Sequence, residues 1–153
     1  MGGGPISYKG VGPLIRVDDL EDGENTLNGE RYLVLLKRRL LKLYPELKEH
    51  KLRFQQDNAP CHRYHKIEEW FNEKDILKLE WPAQSPDMSL IECVWNDLKF
   101  RLRGECFSSK DELWKRLKKE WNSMESKYIK ELYESMPRRI SALVDAEGRH
   151  TKY

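Results

Sequence analysis

Leucines recur at helical spacing in the first third of the chain and predict its first long helix. A spacing of three or four residues puts such side chains on one face of an α-helix. The positions are Leu33, Leu36, Leu40 and Leu43. Asn28 precedes them as a residue type that caps helices, and Pro45 follows as one that ends them. We therefore expect a helix that runs from Asn28 up to Pro45.

The segment before this helix predicts a hairpin. Ile6–Tyr8 and Leu14–Val17 are short apolar stretches, and Gly10–Pro13 between them is rich in turn-forming residues. We interpret the stretches as two strands joined by this Gly/Pro turn. Residues 18–30 then carry six acidic residues and no Lys or Arg, so an acidic loop is expected there.

Two further strands are predicted on either side of a second helix. Leu52–Gln56 is a strand candidate that ends at Asp57, and Ile76–Leu79 is another. Pro60 suits the first turn of the helix between them. The apolar positions of that helix are Ile67, Trp70 and Phe71. The proline-rich segment WPAQSPDMS is expected to form a loop.

The rest of the chain is predicted to be helical. A helix beginning near Leu90 has an apolar face wide enough to pack on a sheet. The residues of that face are Ile91, Val94, Trp95, Leu98 and Leu102. Further helices are expected over residues 110–124, 129–133 and 139–144. We therefore predict one α/β domain over 1–153, with a sheet-containing body over about 1–104 and a helical tail over about 105–153.

The composition is typical of a folded intracellular protein. The 153 residues are 39% hydrophobic and 35% charged, which leaves enough apolar side chains for a core. No apolar run of about 18 residues predicts a membrane span, and the start MGGGPISYKG lacks the layout of a signal peptide. Three widely spaced cysteines without a C-x-x-C pair favour a reducing compartment. We expect a protein that is neither secreted nor attached to a membrane.

Two carboxylates have a context that indicates catalysis. Asp57 follows a predicted strand in QQDNAPCH, and Glu92 begins a predicted helix in WPAQSPDMSLIECVW, with 34 residues between them. Strand ends and helix starts often share one edge of an open α/β sheet, so the two carboxylates could converge. Clustered carboxylates repel unless a cation offsets their charge, and hard oxygen ligands suit Mg²⁺ or Mn²⁺. The pair therefore predicts a divalent-metal site able to act on a phosphodiester.

Both carboxylates also have a structural interpretation. Ser89 and Glu92 fit the S-x-x-E capping box, in which the two side chains satisfy free amides at a helix start. Asp57, which precedes Asn-Ala-Pro, could be a turn residue or a helix cap. The cap and the metal-ligand role of Glu92 do not exclude each other.

Other polar residues near these blocks are weaker candidates. Asp87 is better explained by an Asx turn that supports its loop than by metal binding. Cys61, His62 and His65 suggest a soft-metal cluster, but no second pair at zinc-ligand spacing is visible in the sequence. We interpret these three as ordinary helix residues.

Cationic residues concentrate after the second carboxylate block. The formal net charge is only +2, yet residues 99–119 carry eight Lys or Arg against three acidic residues. With Trp114 and Trp121 this run could contact a nucleic-acid backbone. Alternatively, the lysines face water and Trp121 lies in the core. The weak nucleic-acid-binding candidates are Lys115, Arg116, Lys118 and Lys119.

The two carboxylate blocks resemble those of a known family. QQDNAPCH, the 34-residue gap and WPAQSPDMSLIECVW are similar to the second and third catalytic blocks of Tc/mariner-type DDE transposases. The flanking segments ISYKGVGPLIRVD, LNGERYL and SMPRRISALVDAEGRHTKY also resemble family segments. The resemblance implies a ribonuclease H-like mixed sheet flanked by helices. It further implies Asp57 and Glu92 as catalytic ligands of Mg²⁺ or Mn²⁺, and DNA as the partner in cleavage and strand transfer.

The chain also departs from the family pattern. The family's first catalytic Asp lies on a strand just before the one that begins here near Ile6, and the sequence has no counterpart of that central strand. A counterpart of the N-terminal helix-turn-helix region is absent as well. Asp18, Asp19 and Asp22 come after the predicted third strand and are not substitutes. The resemblance therefore predicts weakened metal binding and impaired catalysis.

Three functional hypotheses follow. The first is a nuclear or cytoplasmic DNA-processing domain derived from a transposase, acting as a homo-oligomer or with a partner that supplies the missing strand. The second is a non-catalytic nucleic-acid or protein-binding remnant that uses the basic helical tail. The third is a truncated relic without a function of its own.

Overall fold

The structure is a computed structural model that describes residues 2–17, 26–49, 51–81, 88–147 and 149. Its contacts divide the chain into a first unit, Arg16–Gln84, and a second unit that combines Gly2–Ile15 with Ser85–Tyr153. The predicted acidic loop from Asp18 and the proline-rich loop with Asp87 lie outside the described residues.

The leucine pattern in the first unit forms the helical segment that the sequence predicts. Its parts are α1 (Gly29–Leu35), a π-helical segment (Leu36–Leu40), α2 (Leu41–Leu43) and a 3-10 turn (Pro45–Leu47). Asn28 caps α1, because its side-chain oxygen accepts a hydrogen bond from the Arg31 N–H at 3.0 Å. The prediction of a helix from Asn28 up to Pro45 is therefore confirmed, with a wider π turn in its middle.

The two strands predicted around the next helix are reduced to one parallel bridge between Phe54 and Lys78. The Phe54 N–H donates to the Leu77 carbonyl, and the Leu79 N–H donates to the Phe54 carbonyl, both at 2.8 Å. Parallel pairing agrees with a strand–helix–strand order. The predictions of full strands over 52–56 and 76–79 are wrong, because an isolated pair without further strands is too weak to extend.

Pro60 begins a 3-10 helix, Pro60–Arg63, and not the first turn of an α-helix as predicted. Tyr64 is extended, with φ −66° and ψ 123°, and separates this short helix from α3, which spans His65–Glu73. The predicted apolar face of α3 is confirmed and lies in the core of the first unit. Its buried residues pack with those of the leucine segment: Leu33, Leu36, Leu40, Leu47, Ile67, Trp70, Phe71 and Ile76.

In the second unit a hairpin forms, but Ile6–Ser7 pairs with Gly10–Val11 and not, as predicted, with Leu14–Val17. The strands are β1 (Gly2–Gly3), β2 (Ile6–Ser7), β3 (Gly10–Val11) and β4 (Ile15–Arg16, which ends at the unit boundary). β2 pairs antiparallel with β3, Ile6 facing Val11, and β1 pairs with β4. The chain turns at Tyr8-Lys9, so the predicted Gly/Pro turn was placed too late. Gly10 permits this tight turn because its φ is +127°.

The four predicted C-terminal helices are confirmed. They are α4 (Leu90–Arg101), α5 (Lys110–Asn122), α6 (Ser126–Glu134) and α7 (Met136–Asp145). Ser109 caps α5 by accepting from the Glu112 N–H at 3.1 Å. None of the helices that the structure describes is long and apolar enough to cross a membrane.

Trp121 of α5 is the largest fully buried side chain of the second unit. Its ring stacks on Trp95 of α4, with centroids 5.1 Å apart. The buried residues around it come from neighbouring helices and the segment before β4: Leu14, Val94, Leu98, Met124 and Ile129. The interpretation of Trp121 as a core residue is confirmed.

Candidate functional site

Asp57 lies three residues after Phe54, which forms the parallel bridge with Lys78 in the first unit. Its Oδ1 accepts a hydrogen bond from the Ala59 N–H at 3.0 Å, which closes an Asx turn. The Nδ1 of His62 lies 2.6 Å from the same oxygen. The side chain is 68% exposed. Within the described residues nothing donates to Oδ2, so this oxygen is open to a cation.

His62 reaches Asp57 because the 3-10 helix turns the chain back on itself. The His62 N–H donates to the Ala59 carbonyl at 2.9 Å. On its other side the imidazole packs against the Tyr32 ring of α1, with centroids 4.3 Å apart. The sequence prediction that His62 is an ordinary helix residue missed this contact.

A cleft of about 240 Å³ adjoins Asp57 within the first unit. Arg63 lines it as an exposed cation that makes no ion pair with the described residues. Lys78, also in the wall, forms a salt bridge with Glu68. The Asn58 side chain donates to the Trp81 carbonyl at 3.3 Å, which links two further lining residues. A phosphate would therefore meet one uncommitted guanidinium beside the Asp57 carboxylate.

Glu92 lies in the first turn of α4 and is exposed. Ser89 occupies the N-cap position, but its side chain makes no capping hydrogen bond. The Glu92 N–H donates to the backbone carbonyl of Ser89 at 3.1 Å instead. The capping-box interpretation is therefore wrong for Ser89, and a helix N-terminus favours the negative charge of Glu92. Asp57 and Glu92 belong to different units, and their convergence stays a prediction.

The donor set suits a hard divalent cation better than zinc. In the part of the chain that the structure describes, no three His, Cys, Asp or Glu side chains form a group able to hold a metal ion. Mg²⁺ commonly takes one or two carboxylates and completes its shell with water and phosphate oxygens. The open Oδ2 of Asp57 and the exposed carboxylate of Glu92 are each a hard oxygen donor of the kind that Mg²⁺ prefers.

The basic candidates on α5 divide into two kinds. Lys115, Lys118 and Lys119 are exposed, share one helix face by their spacing, and make no ion pair with any described residue. Arg116 instead holds Glu105 through its Nε at 3.0 Å and its Nη2 at 2.8 Å, and it also pairs with Glu120. The three lysines form a cationic face, whereas the charge of Arg116 is already neutralised.

A family model described as DDE superfamily endonuclease matches residues 21–114. The match covers more than half of the chain and includes both carboxylate blocks. The chain belongs to the DDE superfamily endonuclease family.

Several transposases are relatives of this DDE-family chain. The Tcb1 transposase of Caenorhabditis briggsae is 42% identical over 100 residues, which are 65% of this chain and 37% of the relative. The Tc1 transposase of Caenorhabditis elegans is 41% identical over the same shares. The Tc3 transposase of Caenorhabditis elegans is 27% identical across 100% of this chain and 47% of its own length. The DDE-family chain thus spans less than half the length of these relatives.

Solved structures confirm the predicted fold class. The catalytic domain of Mos1 mariner transposase matches with a TM-score of 0.78 and 22% identity, over 99% of this chain and 82% of that domain. A pre-cleavage Mos1 transpososome matches with a TM-score of 0.80 and 23% identity, over 96% of this chain and 44% of that chain. The DDE-family chain therefore has the ribonuclease H-like α/β fold, although its described strands form only short pairs.

Three residues around Asp57 in this DDE-family chain were missed by sequence reasoning: Tyr32, Gln56 and His62. The Tyr32 hydroxyl donates to Gln56 Oε1 at 2.9 Å, and Gln56 Nε2 donates to the His62 carbonyl at 3.2 Å. The local signals were an Asp before Asn-Ala, which favours an Asx turn, and Pro60, which suits a helix start, but neither places His62 beside Asp57. The contribution of Tyr32, 30 residues away from His62, has no local signal.

Proposed function

We propose that this chain is the part of a transposase that binds a divalent cation and DNA for phosphodiester cleavage and strand transfer. Family membership supports the reaction class. Relatives support the cofactor and partner, since Mos1 structures include a catalytic domain with Mn and a paired-end complex with Mn. The observation that carries the proposal is the Asp57 carboxylate, which is exposed and has one oxygen held and the other open.

Asp57 and Glu92 are the proposed ligands of the cation. A divalent ion in such a site stabilises negative charge on the scissile phosphate and lowers the pKa of bound water. Arg63 would attract a phosphate oxygen into the cleft beside Asp57. The Asx turn holds the Asp57 carboxylate in the lining of that cleft, and Glu92 stands exposed in the first turn of α4.

Metal binding is tested first, on the 153-residue chain. Mn²⁺ broadens nearby NMR signals, so we expect broadening of the amide signals of residues 56–59 and 91–93. Asp57→Asn and Glu92→Gln should each weaken the effect at both segments if the two carboxylates share the ion. Asp75→Asn and Glu131→Gln are matched controls, since they remove carboxylates outside the proposed site. Unchanged broadening in Asp57→Asn would contradict the proposal.

Cleavage is tested second, with labelled terminal-repeat DNA and Mg²⁺ or Mn²⁺. Product that disappears with Asp57→Asn and Glu92→Gln, and persists with the two control variants, would support the reaction. The expectation of impaired catalysis predicts slow product formation even from the unsubstituted chain. Cleavage that survives both substitutions would contradict these residues as catalytic ligands.

The cationic face of α5 favours a second candidate function, binding of a nucleic-acid backbone without catalysis. Its three lysines are exposed, whereas Trp121 of the same helix is buried, and they have no carboxylate partner among the described residues. Charge reversal at Lys115, Lys118 and Lys119 should abolish a gel shift at low salt, and omission of metal should leave that shift unchanged. No shift of the unsubstituted chain at low salt would contradict this candidate.

A further inference from the structure

We propose that His62 is a positioning residue of the site: its Nδ1–H fixes Oδ1 of Asp57 and thereby leaves the other carboxylate oxygen to the cation. This inference rests on the proposed function, because it assigns a role in holding a ligand of the ion. No sequence feature assigned a role to His62 beyond its place in a helix.

The contact itself is short and directional. Nδ1 of His62 lies 2.6 Å from Oδ1 of Asp57 and 3.3 Å from the backbone carbonyl of Asp57. A carboxylate oxygen accepts hydrogen bonds, so we assign Nδ1 as the donor in this contact. The Ala59 N–H donates to the same carboxylate oxygen at 3.0 Å. Two donors on Oδ1 restrict rotation of a side chain that is otherwise 68% exposed.

The imidazole is held more firmly than the carboxylate that it contacts. The His62 side chain is 18% exposed, and the Tyr32 ring covers one face at a centroid distance of 4.3 Å and a tilt of 40°. The imidazole of His62 is therefore held in place by its packing within the first unit. The exposed carboxylate of Asp57 is oriented by its hydrogen bond with this imidazole.

A hydrogen-bond relay fixes the backbone of His62 as well. Tyr32 donates to Gln56 Oε1, and Gln56 Nε2 donates to the His62 carbonyl. Burial raises the pKa of Tyr32 above its ordinary value, so the hydroxyl keeps the proton that it donates. This relay sets both the orientation of the Gln56 amide and the position of residue 62. Ligand side chains commonly need such outer partners to hold their geometry.

His65 provides an internal contrast. It is exposed at the start of α3, and its ring contacts the edge of the Tyr64 ring, with centroids 4.9 Å apart. It has no described contact with Asp57, although it lies only three residues beyond His62. Substitution of His65 therefore controls for loss of an imidazole from this segment.

Nitrogen-15 NMR of the imidazoles tests the hydrogen bond without any metal. We expect His62 to be protonated on Nδ1 and to lose that preference in Asp57→Ala, which removes the acceptor, while the His65 signals stay unchanged. A His62 ring protonated only on Nε2 in the unsubstituted chain would overturn the proposal.

Mn²⁺ titration tests the positioning role, with His62→Leu, His62→Asn and His65→Leu compared by broadening of the residue 56–59 signals. We expect about ten-fold weaker affinity for His62→Leu and no change for His65→Leu. His62→Asn should recover part of the loss, because its amide can donate from nearly the position of Nδ1. Circular dichroism of each variant identifies loss of folding.

The outcomes separate this inference from the proposed function. Equal Mn²⁺ affinity in the unsubstituted chain and Asp57→Asn would overturn the proposed function and the role of His62 with it. A strong loss in Asp57→Asn with no change in a folded His62→Leu would overturn the role of His62 alone. Equal losses in His62→Leu and His62→Asn would likewise show that the donor is not what matters.

Discussion

The indole N–H of Trp121 donates to the backbone carbonyl of Gly12 across 2.7 Å and ties α5 to the segment after β3. The partners are 109 residues apart in sequence. Because the indole is fully buried, its N–H needs this acceptor within the protein. The bond therefore links the N-terminal hairpin to the helical part of the second unit.

Trp121→Phe should destabilise the second unit. The substitution leaves the Gly12 carbonyl without its donor and removes ring volume from a packed core. We expect a loss of about 2–4 kcal/mol in the free energy of unfolding, measured by urea denaturation. Phe100→Leu is the control, since Phe100 is 72% exposed and its substitution should change the value by about 0.5 kcal/mol or less. A similar effect of both substitutions would contradict the packing described for Trp121.

Gly10→Ala should destabilise the hairpin by two effects. The φ of +127° is strained for any residue with a Cβ, and an added Cβ would lie 2.9 Å from the Ser126 hydroxyl. Backbone strain of this kind costs about 1–3 kcal/mol. Gly104→Ala isolates the strain alone, because Gly104 has a φ of +81° and a Cβ added there would meet no atom within 4 Å. Thermal denaturation should show a larger drop for Gly10→Ala, and a reversed order would argue against the Ser126 contact.

Glu120 should make the stability of the second unit depend on acid. Its hydrogen bond with Arg116, together with the neighbouring Arg101 guanidinium, lowers the pKa of Glu120 below the ordinary value. A carboxyl group with a lowered pKa stabilises the fold above its unfolded pKa, and that contribution is lost as pH falls through the folded pKa. The melting temperature of the unsubstituted chain should exceed that of Glu120→Gln near pH 7. The difference should shrink between about pH 5 and about pH 3.

The control for this pH dependence is Glu131→Gln, at an exposed carboxylate that makes no ion pair with the described residues. Its melting temperature should follow that of the unsubstituted chain at every pH. A Glu120→Gln curve that stays parallel to the unsubstituted curve down to about pH 3 would rule out the Arg116 contact as the cause.

The lysines and the arginine of α5 should differ in their effect on DNA binding. Lys118→Ala removes a cation that has no described partner, so the slope of log affinity against log salt should fall by about 1. Arg116→Ala should leave the slope nearly unchanged and lower thermal stability, because Arg116 is engaged with Glu105 and Glu120. Fluorescence anisotropy at several salt concentrations measures the slopes. Equal slope changes would mean that the Arg116 ion pairs open on DNA.

The helices could be predicted because their signals are local. Apolar spacing located α4 and α5, and Asn28 was recognised as the residue type that caps α1. The strands could not be predicted as well, since pairing depends on partners elsewhere in the chain. Phe54 and Lys78 form one bridge where the sequence suggested two full strands. The hairpin turn was misplaced because the glycine at position 10, not the later Gly-Pro pair, has the φ that the turn requires.

The candidate site was found in part. Asp57 and Glu92 stand out through their sequence blocks, and Asp57 also forms the turn that its neighbours predict. The alternative of a Ser89 cap failed because the Ser89 side chain makes no capping bond. Arg116 resembled its lysine neighbours in sequence, yet two acidic residues neutralise it in the structure.

The sequence by itself determined the helices, the two carboxylates and the family, because periodicity, caps and motif blocks are properties of neighbouring residues. Only the tertiary structure decided that His62 fixes one oxygen of Asp57. That contact needs a 3-10 turn to bring back the imidazole and Tyr32 from α1 to cover it. A hydrogen bond requires two groups to lie at the right distance and angle in the folded chain, and the number of residues between them does not fix that geometry.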